Sequence, residues 1–375
     1  MKQQVVASRN SILLGSYAHL LKPLLFKTDP EFIHDSVSKT AEIAGVIPPA
    51  RWITKALFGY THPTLTTKVD GVWYKNPIGL SAGYDKNARL LRILPSMGFG
   101  FAEIGSITKD PYRGNEPPRL WRLPHSRSLG IYYGLMSDGA DTVAKRLAHQ
   151  RSSFPLGVSV AFTNDEKNTD IGRAVDDMLY TYETCGPHGS YITLNLSCPN
   201  TLSEQPFMIA KHAKQLLHTL ATKRLNKPHY IKLSPDYSRA EIERLLDVAL
   251  EFNVDGFICS NLTKNRQNSL IVERNIPPRG GMSGKVLEPL SNNLIEQVAR
   301  YTGGQKTIVG VGGIFNAEDA YQKIRLGASL LQLITGMVYR GPSVISDINL
   351  GLVRLLKRDG FSSIAEAVGA DVSSR

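Results

Sequence analysis

The chain has 375 residues, 42% hydrophobic and 21% charged, which is the composition of a globular protein and excludes a disordered one. Its 44 Lys and Arg against 33 Asp and Glu leave a formal net charge of +11, which favours anionic partners such as phosphorylated ligands or anionic lipid. Nucleic acid is not expected, since no dense Lys/Arg block carries interleaved aromatics; nor is a metal site or a disulfide scaffold, since Cys185, Cys198 and Cys259 form no CxxC pair.

No run of about 18 apolar residues is present to span a membrane, and the N-terminus lacks the small-residue cleavage pattern of a signal peptide. Residues 1–27 carry Lys2, Arg9, Lys22 and Lys27 and no acid. Within them Ile12, Leu13, Leu14, Tyr17, Leu20, Leu21, Leu24, Leu25 and Phe26 form an apolar stripe at helical spacing, broken near Pro23. Asp29-Pro30-Glu31 then opens a second helix, with aspartate as its cap and proline in its first turn. Two short amphipathic helices, the first basic, suit an anionic membrane surface or a cap packed on the main domain. Residues 48–61 read as a linker.

Asp70-Gly71 between Thr67-Lys68-Val69 and Val72-Trp73-Tyr74 is a hairpin signal. After it, apolar runs recur at 77–83, 99–106, 155–162, 191–197, 230–235, 255–261, 307–313 and 330–336. Most are continuous rather than alternating, as in strands buried on both faces, and the segments between them, such as 239–252 and 317–326, have helical periodicity. Roughly eight β/α units over about 260 residues fit a (β/α)8 TIM barrel; a doubly wound open sheet is the alternative.

The ends of these runs are polar, and a barrel binds its ligands at the C-terminal ends of its strands. The first run ends Ala82-Gly83-Tyr84-Asp85-Lys86-Asn87, the second Gly105-Ser106 and the sixth Ser260-Asn261. The fifth places Lys232 between Ile231 and Leu233, where a lysine is costly unless an anion or strong acceptor meets it. The fourth leads into Asn195-Leu196-Ser197-Cys198-Pro199-Asn200-Thr201. There a thiol that can take a proton, if its pKa is tuned, stands between carboxamides that can hold a flat polar ring. The same residues also describe a Pro-Asn turn with a buried cysteine. Two lysines and several amides at one mouth suggest a planar, anionic, hydrogen-bonding ligand. Gly310-Val311-Gly312-Gly313 and Ile334-Thr335-Gly336 let backbone N–H groups reach a phosphate. Gly280-Gly281-Met282-Ser283-Gly284-Lys285 reads as a further glycine-rich loop able to close over it.

Taken in order, Ser81-Ala82-Gly83-Tyr84-Asp85-Lys86, Glu103-Ile104-Gly105-Ser106, the 195–201 stretch, Ile231-Lys232 and the 281–284 and 311–313 glycines resemble the dihydroorotate dehydrogenase family. The helical N-terminus, with His34 after Asp29-Pro30, and Gly281-Met282-Ser283-Gly284 resemble its membrane-associated, quinone-using class. The resemblance implies an α/β protein with an FMN-binding (β/α)8 barrel over 62–375 behind a helical extension over 1–61. It implies oxidation of dihydroorotate to orotate in pyrimidine synthesis, with the C5 proton going to a base and hydride passing from C6 to flavin N5. Electrons then go to a membrane quinone, and the protein sits peripherally on the cytoplasmic face of the inner membrane. By position, Cys198 is the base, Lys86 meets the substrate carboxylate, and Asn195, Asn200 and Asn261 hold the pyrimidine edge. Ala82, Gly83, Ser106, Ser159, Asn195, Lys232 and Ser260 would contact FMN, with Lys232 near N1/O2. Gly284, Gly313, Thr335 and Gly336 would hold its phosphate. His34 and Arg122 match positions lining the quinone path.

The chain departs from the family at several of these places. The quinone class usually has serine as base, where this chain has Cys198; a free thiol, which ordinarily titrates at about pH 8.5, needs little tuning to serve. The family's Asn-Arg-x-Gly-Phe-Asn loop reads Ile131-Tyr132-Tyr133-Gly134-Leu135-Met136, so a substrate-binding Asn is Ile131. A flavin-side Asn is Ser159, the Thr after Asn261 is Leu262, and a Tyr near the phosphate is Ile334. These changes bear on orotate contacts more than on FMN. Two other functions fit the same residues: an FMN enzyme acting on another pyrimidine, or a barrel that binds flavin without turnover. The second gives no reason for a base beside Lys86 and Lys232.

Overall fold

Eight short parallel strands close into a barrel in the computed structural model, which describes residues 2–150 and 152–372. They are β1 (Ile78–Leu80), β2 (Phe101–Ile107), β3 (Leu156–Val160), β4 (Tyr191–Asn195), β5 (His229–Leu233), β6 (Gly256–Cys259), β7 (Thr307–Val311) and β8 (Leu330–Leu333). Sequential neighbours pair throughout, and β8 pairs back onto β1 through Leu331↔Ile78 and Leu333↔Leu80, so the open-sheet alternative is not formed. Helices such as Ile171–Cys185, Arg239–Glu251, Ala317–Arg325 and Val344–Asp359 cover the outside. Their starts follow sequence chemistry: Asp170 and Asn316 accept backbone N–H bonds at N-caps, and Ser238 with Glu241 forms a capping box.

The two-residue period of a strand sorts its side chains between two cores. Ile192 and Leu194 of β4 face the helices, while Tyr191, Thr193 and Asn195 face the barrel axis. The lowest interior layer is aromatic: Tyr74, Phe101, Tyr191 and Tyr230 pack together, with Tyr191 and Tyr230 centroids 5.1 Å apart. The expected hairpin forms from Thr67–Val69 and Val72–Tyr74, and it plugs this end. Tyr230 Oη donates to Asp70 Oδ2 of its turn at 2.8 Å. Above the aromatics, the Glu103 carboxylate accepts bonds from Tyr191 Oη, Thr193 Oγ1 and Gln332 Nε2 at 3.2, 3.0 and 2.9 Å.

Two sequence expectations change. Residues 48–61 are not a linker: Pro48–Phe58 is a helix packed on the 3-10 turn Leu94–Met97 that lies between β1 and β2. Its paired prolines, which suggest irregular chain, occupy a first turn that needs no N–H donors. The glycine-rich 280–285 segment is not a loose loop. Gly281–Gly284 is a strand that joins Ser128–Ile131 and Leu120–Leu123 in a three-stranded antiparallel sheet beside the mouth. The basic N-terminus forms a helix, Lys2–Ser16, that runs through a π turn, Tyr17–Leu21, into Lys22–Leu25 before the helix Pro30–Val46. Pro23 lacks an N–H and crowds the preceding turn, which widens so that Lys22 N–H bonds Tyr17 O. No helix among the described residues is long and apolar enough to cross a membrane.

Candidate active site

The C-terminal mouth of the barrel opens into a cavity of about 360 Å³. Sixteen of the residues singled out from sequence line it: His34, Ala82, Gly83, Lys86, Ser106, Arg122, Asn195, Cys198, Asn200, Lys232, Ser260, Asn261, Gly284, Gly313, Thr335 and Gly336. Ser159 does not reach the wall. It lies one layer behind, fully buried, with its hydroxyl 2.8 Å from Ser106 Oγ. β2 and β3 approach closely there because residue 105 is glycine: its φ is +97°, and a Cβ would sit 2.5 Å from Ser159 O.

The carboxamides at the strand ends are wired to one another. Asn195 Nδ2 donates to Ser106 Oγ at 2.7 Å, and Asn261 Nδ2 donates to Asn195 Oδ1 and Ser197 Oγ, each at 3.1 Å. Ser197 Oγ in turn donates to Lys232 O at 2.6 Å. The asparagines of strands four and six are thereby fixed in orientation before any ligand arrives. Asn200 Nδ2 donates to Ile131 O at 3.0 Å, while its Oδ1 is buried with no partner among the described residues. An unpaired buried acceptor on a cavity wall is satisfied by a ligand's N–H.

Two lysines bring positive charge into this space. Lys232 is buried on β5, and its ammonium has no hydrogen-bond partner among the described residues. Burial lowers its pKa, and the Glu103 carboxylate deeper in the barrel opposes that. Lys86 follows β1, held by a turn in which Asp85 accepts the N–H groups of Arg89 and Leu90 at 2.8 and 2.9 Å. Its Nζ lies 4.2 Å from the centroid of the Tyr133 ring, and burial draws its pKa down to about 8. Cys198 faces the cavity half-buried. Its thiol differs from the sequence expectation: burial pushes it up to about 11, against the pull of the Asn200 N–H and the charges of Lys232 and Lys264. A ligand that changes the solvation of this pocket therefore shifts the pKa of the thiol.

Opposite these groups stands a glycine cradle. Thr335 and Gly336 begin a short helix after β8, facing Gly312 and Gly313 after β7, and Ser283 Oγ lies 2.7 Å from Thr335 Oγ1. At Gly336 a Cβ would meet Ile314 O at 2.0 Å, so only glycine fits this approach of two backbones. Orphaned polar groups at one end and bare backbone at the other fit a flat hydrogen-bonding ring with a phosphate tail.

The cavity continues outward to the N-terminal helices, and His34 and Arg122 line it there. Arg122 Nη1 donates to Thr28 O at 2.6 Å, and its guanidinium packs 4.7 Å from the Phe26 ring centroid. His34 stacks edge-on to Tyr84 at 4.9 Å, and burial together with the Lys86 charge lowers its pKa to about 3, so its imidazole is neutral. Tyr17, Tyr84 and Tyr133 carry no role in the sequence motifs, yet all three line the cavity. In the sequence Tyr17 is only one member of an apolar helical stripe; the structure ties its hydroxyl to Val338 O at 2.6 Å. Ile131 and Leu262 add an apolar wall beside Asn200 and Asn261.

Comparison with known proteins gives this geometry its family. A family model described as dihydroorotate dehydrogenase matches residues 64–356. A dihydroorotate dehydrogenase (quinone) of Natronomonas pharaonis is 39% identical over 360 residues, covering 96% of this chain and all of that protein. A protein of the same description from Roseiflexus sp. is 37% identical over 362 residues, covering 95% and 98%. Among solved structures, ligand-free DHODH from Eimeria tenella superposes with a TM-score of 0.84 at 30% identity over 92% of this chain and all of that one. Matches of this length take in the barrel, its polar strand ends and the N-terminal helices together, and the chain belongs to the dihydroorotate dehydrogenase family.

Proposed function

We propose that this protein oxidises dihydroorotate to orotate for pyrimidine synthesis, using FMN and delivering the electrons to a membrane quinone. The observation that carries the reading is the convergence of Cys198, Lys86 and the unpaired Lys232 on one cavity, with the glycine cradle opposite. FMN, when bound, supplies the acceptor for the hydride from C6 of the substrate. Lys86 binds the substrate carboxylate, and the linked carboxamides of Asn195, Asn200 and Asn261 hold the ring's polar edge. Cys198 takes the C5 proton; with its thiol raised by burial, Lys232 and Lys264 supply the charge that favours the thiolate. Lys232 balances negative charge on the cofactor, whose ring side also meets Ala82, Gly83, Ser106 and Ser260. Gly284, Gly313, Thr335 and Gly336 take the phosphate, and Ser159 acts indirectly by orienting Ser106.

The outer cavity receives the quinone. Neutral His34 offers an uncharged hydrogen-bonding ring, and Arg122 offers guanidinium N–H groups for a quinone oxygen. Most of the large apolar side chains exposed among the described residues lie in 5–57, including Leu24, Phe32 and Trp52. With the basic charges nearby, they suit peripheral docking on an anionic membrane surface, at the cytoplasmic face of the inner membrane. The test is anaerobic addition of dihydroorotate to the purified protein, followed by a long-chain quinone. The flavin absorbance should bleach and then return. A chromophore unmoved by dihydroorotate would overturn the substrate. Bleaching by a different dihydropyrimidine would favour the second reading, for which the apolar Ile131 and Leu262 wall is the reason.

A further inference from the structure

A second cavity, of about 400 Å³, shares no lining residue with the first, although Ala18, Phe315 and Tyr339 on its wall directly follow Tyr17, Ile314 and Val338 on the other. Gly15, Ala18 and Lys22 of the N-terminal helical run form one side, and Arg127, Phe315 and Arg340 of the barrel form the other. A Cβ at Gly15 would meet nothing within 4 Å, so small residues leave open space there.

Three cations border this hollow. The Arg127 guanidinium lies 5.4 Å from the Phe315 ring centroid, and Lys22 Nζ lies 5.9 Å from that of Phe26. Neither side chain has an acid or hydrogen-bond partner among the described residues. Arg340 donates to Phe315 O at 2.7 Å and reaches Asp347 at 3.4 Å. Arg340 is the one of the three with a carboxylate within 4 Å among the described residues, while Glu273, held by Ser126 next to Arg127, adds one negative charge near Tyr339 on the wall. Uncompensated cations facing a shared hollow attract an anion, and a guanidinium fork beside an ammonium suits phosphate oxygens. Lys22 is flanked in the chain by Leu20, Leu21 and Leu24, which are 66, 54 and 65% exposed.

We propose that this cavity binds the phosphate of an anionic ester through Lys22, Arg127 and Arg340, with the leucines beside Lys22 taking the acyl chains when the ester is a phospholipid. The lipid source rests on the membrane reading given under Proposed function; a soluble phosphate ester is the other source of the same chemistry.

The test uses the holoenzyme in three forms: parent, the Lys22→Gln/Arg127→Gln double variant, and Gly15→Leu, which fills the hollow without removing charge. A Lys39→Gln/Lys55→Gln variant removes the same charge from exposed sites on the other N-terminal helices. Binding is measured to vesicles of phosphatidylcholine alone and mixed with phosphatidylglycerol, and thermal stability is measured with and without glycerol phosphate. Dihydroorotate-driven bleaching verifies that each variant is folded. The parent should prefer the mixed vesicles, and the cavity variants should lose about tenfold of that preference while the Lys39/Lys55 control loses far less. Stabilisation by glycerol phosphate that disappears in the cavity variants would assign a soluble ester; a vesicle effect without it assigns a lipid headgroup. Equal loss in the control, or cavity variants that respond to both probes as the parent does, overturns the site. A parent with no preference for phosphatidylglycerol refutes the membrane reading instead, and the glycerol phosphate arm then decides the cavity alone.

Discussion

The Lys86 ammonium rests on the face of Tyr133, 4.2 Å from the ring centroid, and that ring is its one close partner among the described residues. Desolvation dominates over this attraction and leaves Lys86 with a pKa of about 8. The charged form is therefore lost as pH rises through about 8, and an anion that needs it binds less well above that point. Orotate affinity should be flat below pH 7 and weaken towards tenfold per pH unit at higher pH. Tyr133→Leu removes about 0.5 to 2 kcal/mol of cation–π stabilisation and should move the break to lower pH. Titrating the flavin spectrum with orotate between pH 6 and 9.5 measures both. Affinity that does not change across this range would remove Lys86 from the anion site.

Cys198 has the opposite dependence. Its raised pKa leaves little thiolate at neutral pH, so the rate of flavin reduction at saturating dihydroorotate should climb with pH up to about 11. Cys198→Ser should keep some activity with the climb shifted further up, because a hydroxyl is harder to deprotonate. Cys198→Ala should bind the flavin and slow reduction by about 100-fold or more. Stopped-flow traces of all three proteins check this, and a wild-type rate in the alanine variant would rule the thiol out.

Lys232 is a buried cation with no hydrogen-bond partner among the described residues, backed by the Glu103 charge. Lys232→Ala should make reduction of the bound flavin less favourable, lowering its midpoint potential by about 30 to 90 mV. Loss of cofactor on purification is the second expected effect. A variant with full occupancy and an unchanged potential would place Lys232 away from the reducible ring.

Leu24, Phe32 and Trp52 are 65, 62 and 73% exposed, so replacing them with serine removes little folded-state packing. Burial of each in a bilayer interface would contribute about 1.5 kcal/mol. The triple variant should keep its melting temperature and its reduction by dihydroorotate, and lose most of its vesicle binding and long-chain quinone turnover. Co-sedimentation and quinone assays decide it; undiminished vesicle binding would assign these side chains to another role.

Much of this was legible in the chain itself because it depends on local chemistry. The Asp70-Gly71 turn needs left-handed backbone at both residues, and they have φ of 45° and 81°. The continuous apolar runs around Ile104, Val158 and Ile192 mark strands buried on both faces, and the polar ends of those runs mark the side on which the cavity opens. Closure, pairing and burial depend on partners distant in sequence. Gly281–Gly284 is a strand because Ser128–Ile131 lies alongside it, more than a hundred residues earlier. Pro48–Phe58 packs as a helix against Leu94–Met97, a 3-10 turn some forty residues later in the chain. Ser159 and Ser106 have similar side chains, and only the approach of β3 to β2 at Gly105 decides which one lines the cavity. The same holds for the thiol of Cys198: its identity is written in the sequence, but its pKa of about 11 follows from desolvation, which exists only once the barrel mouth has formed.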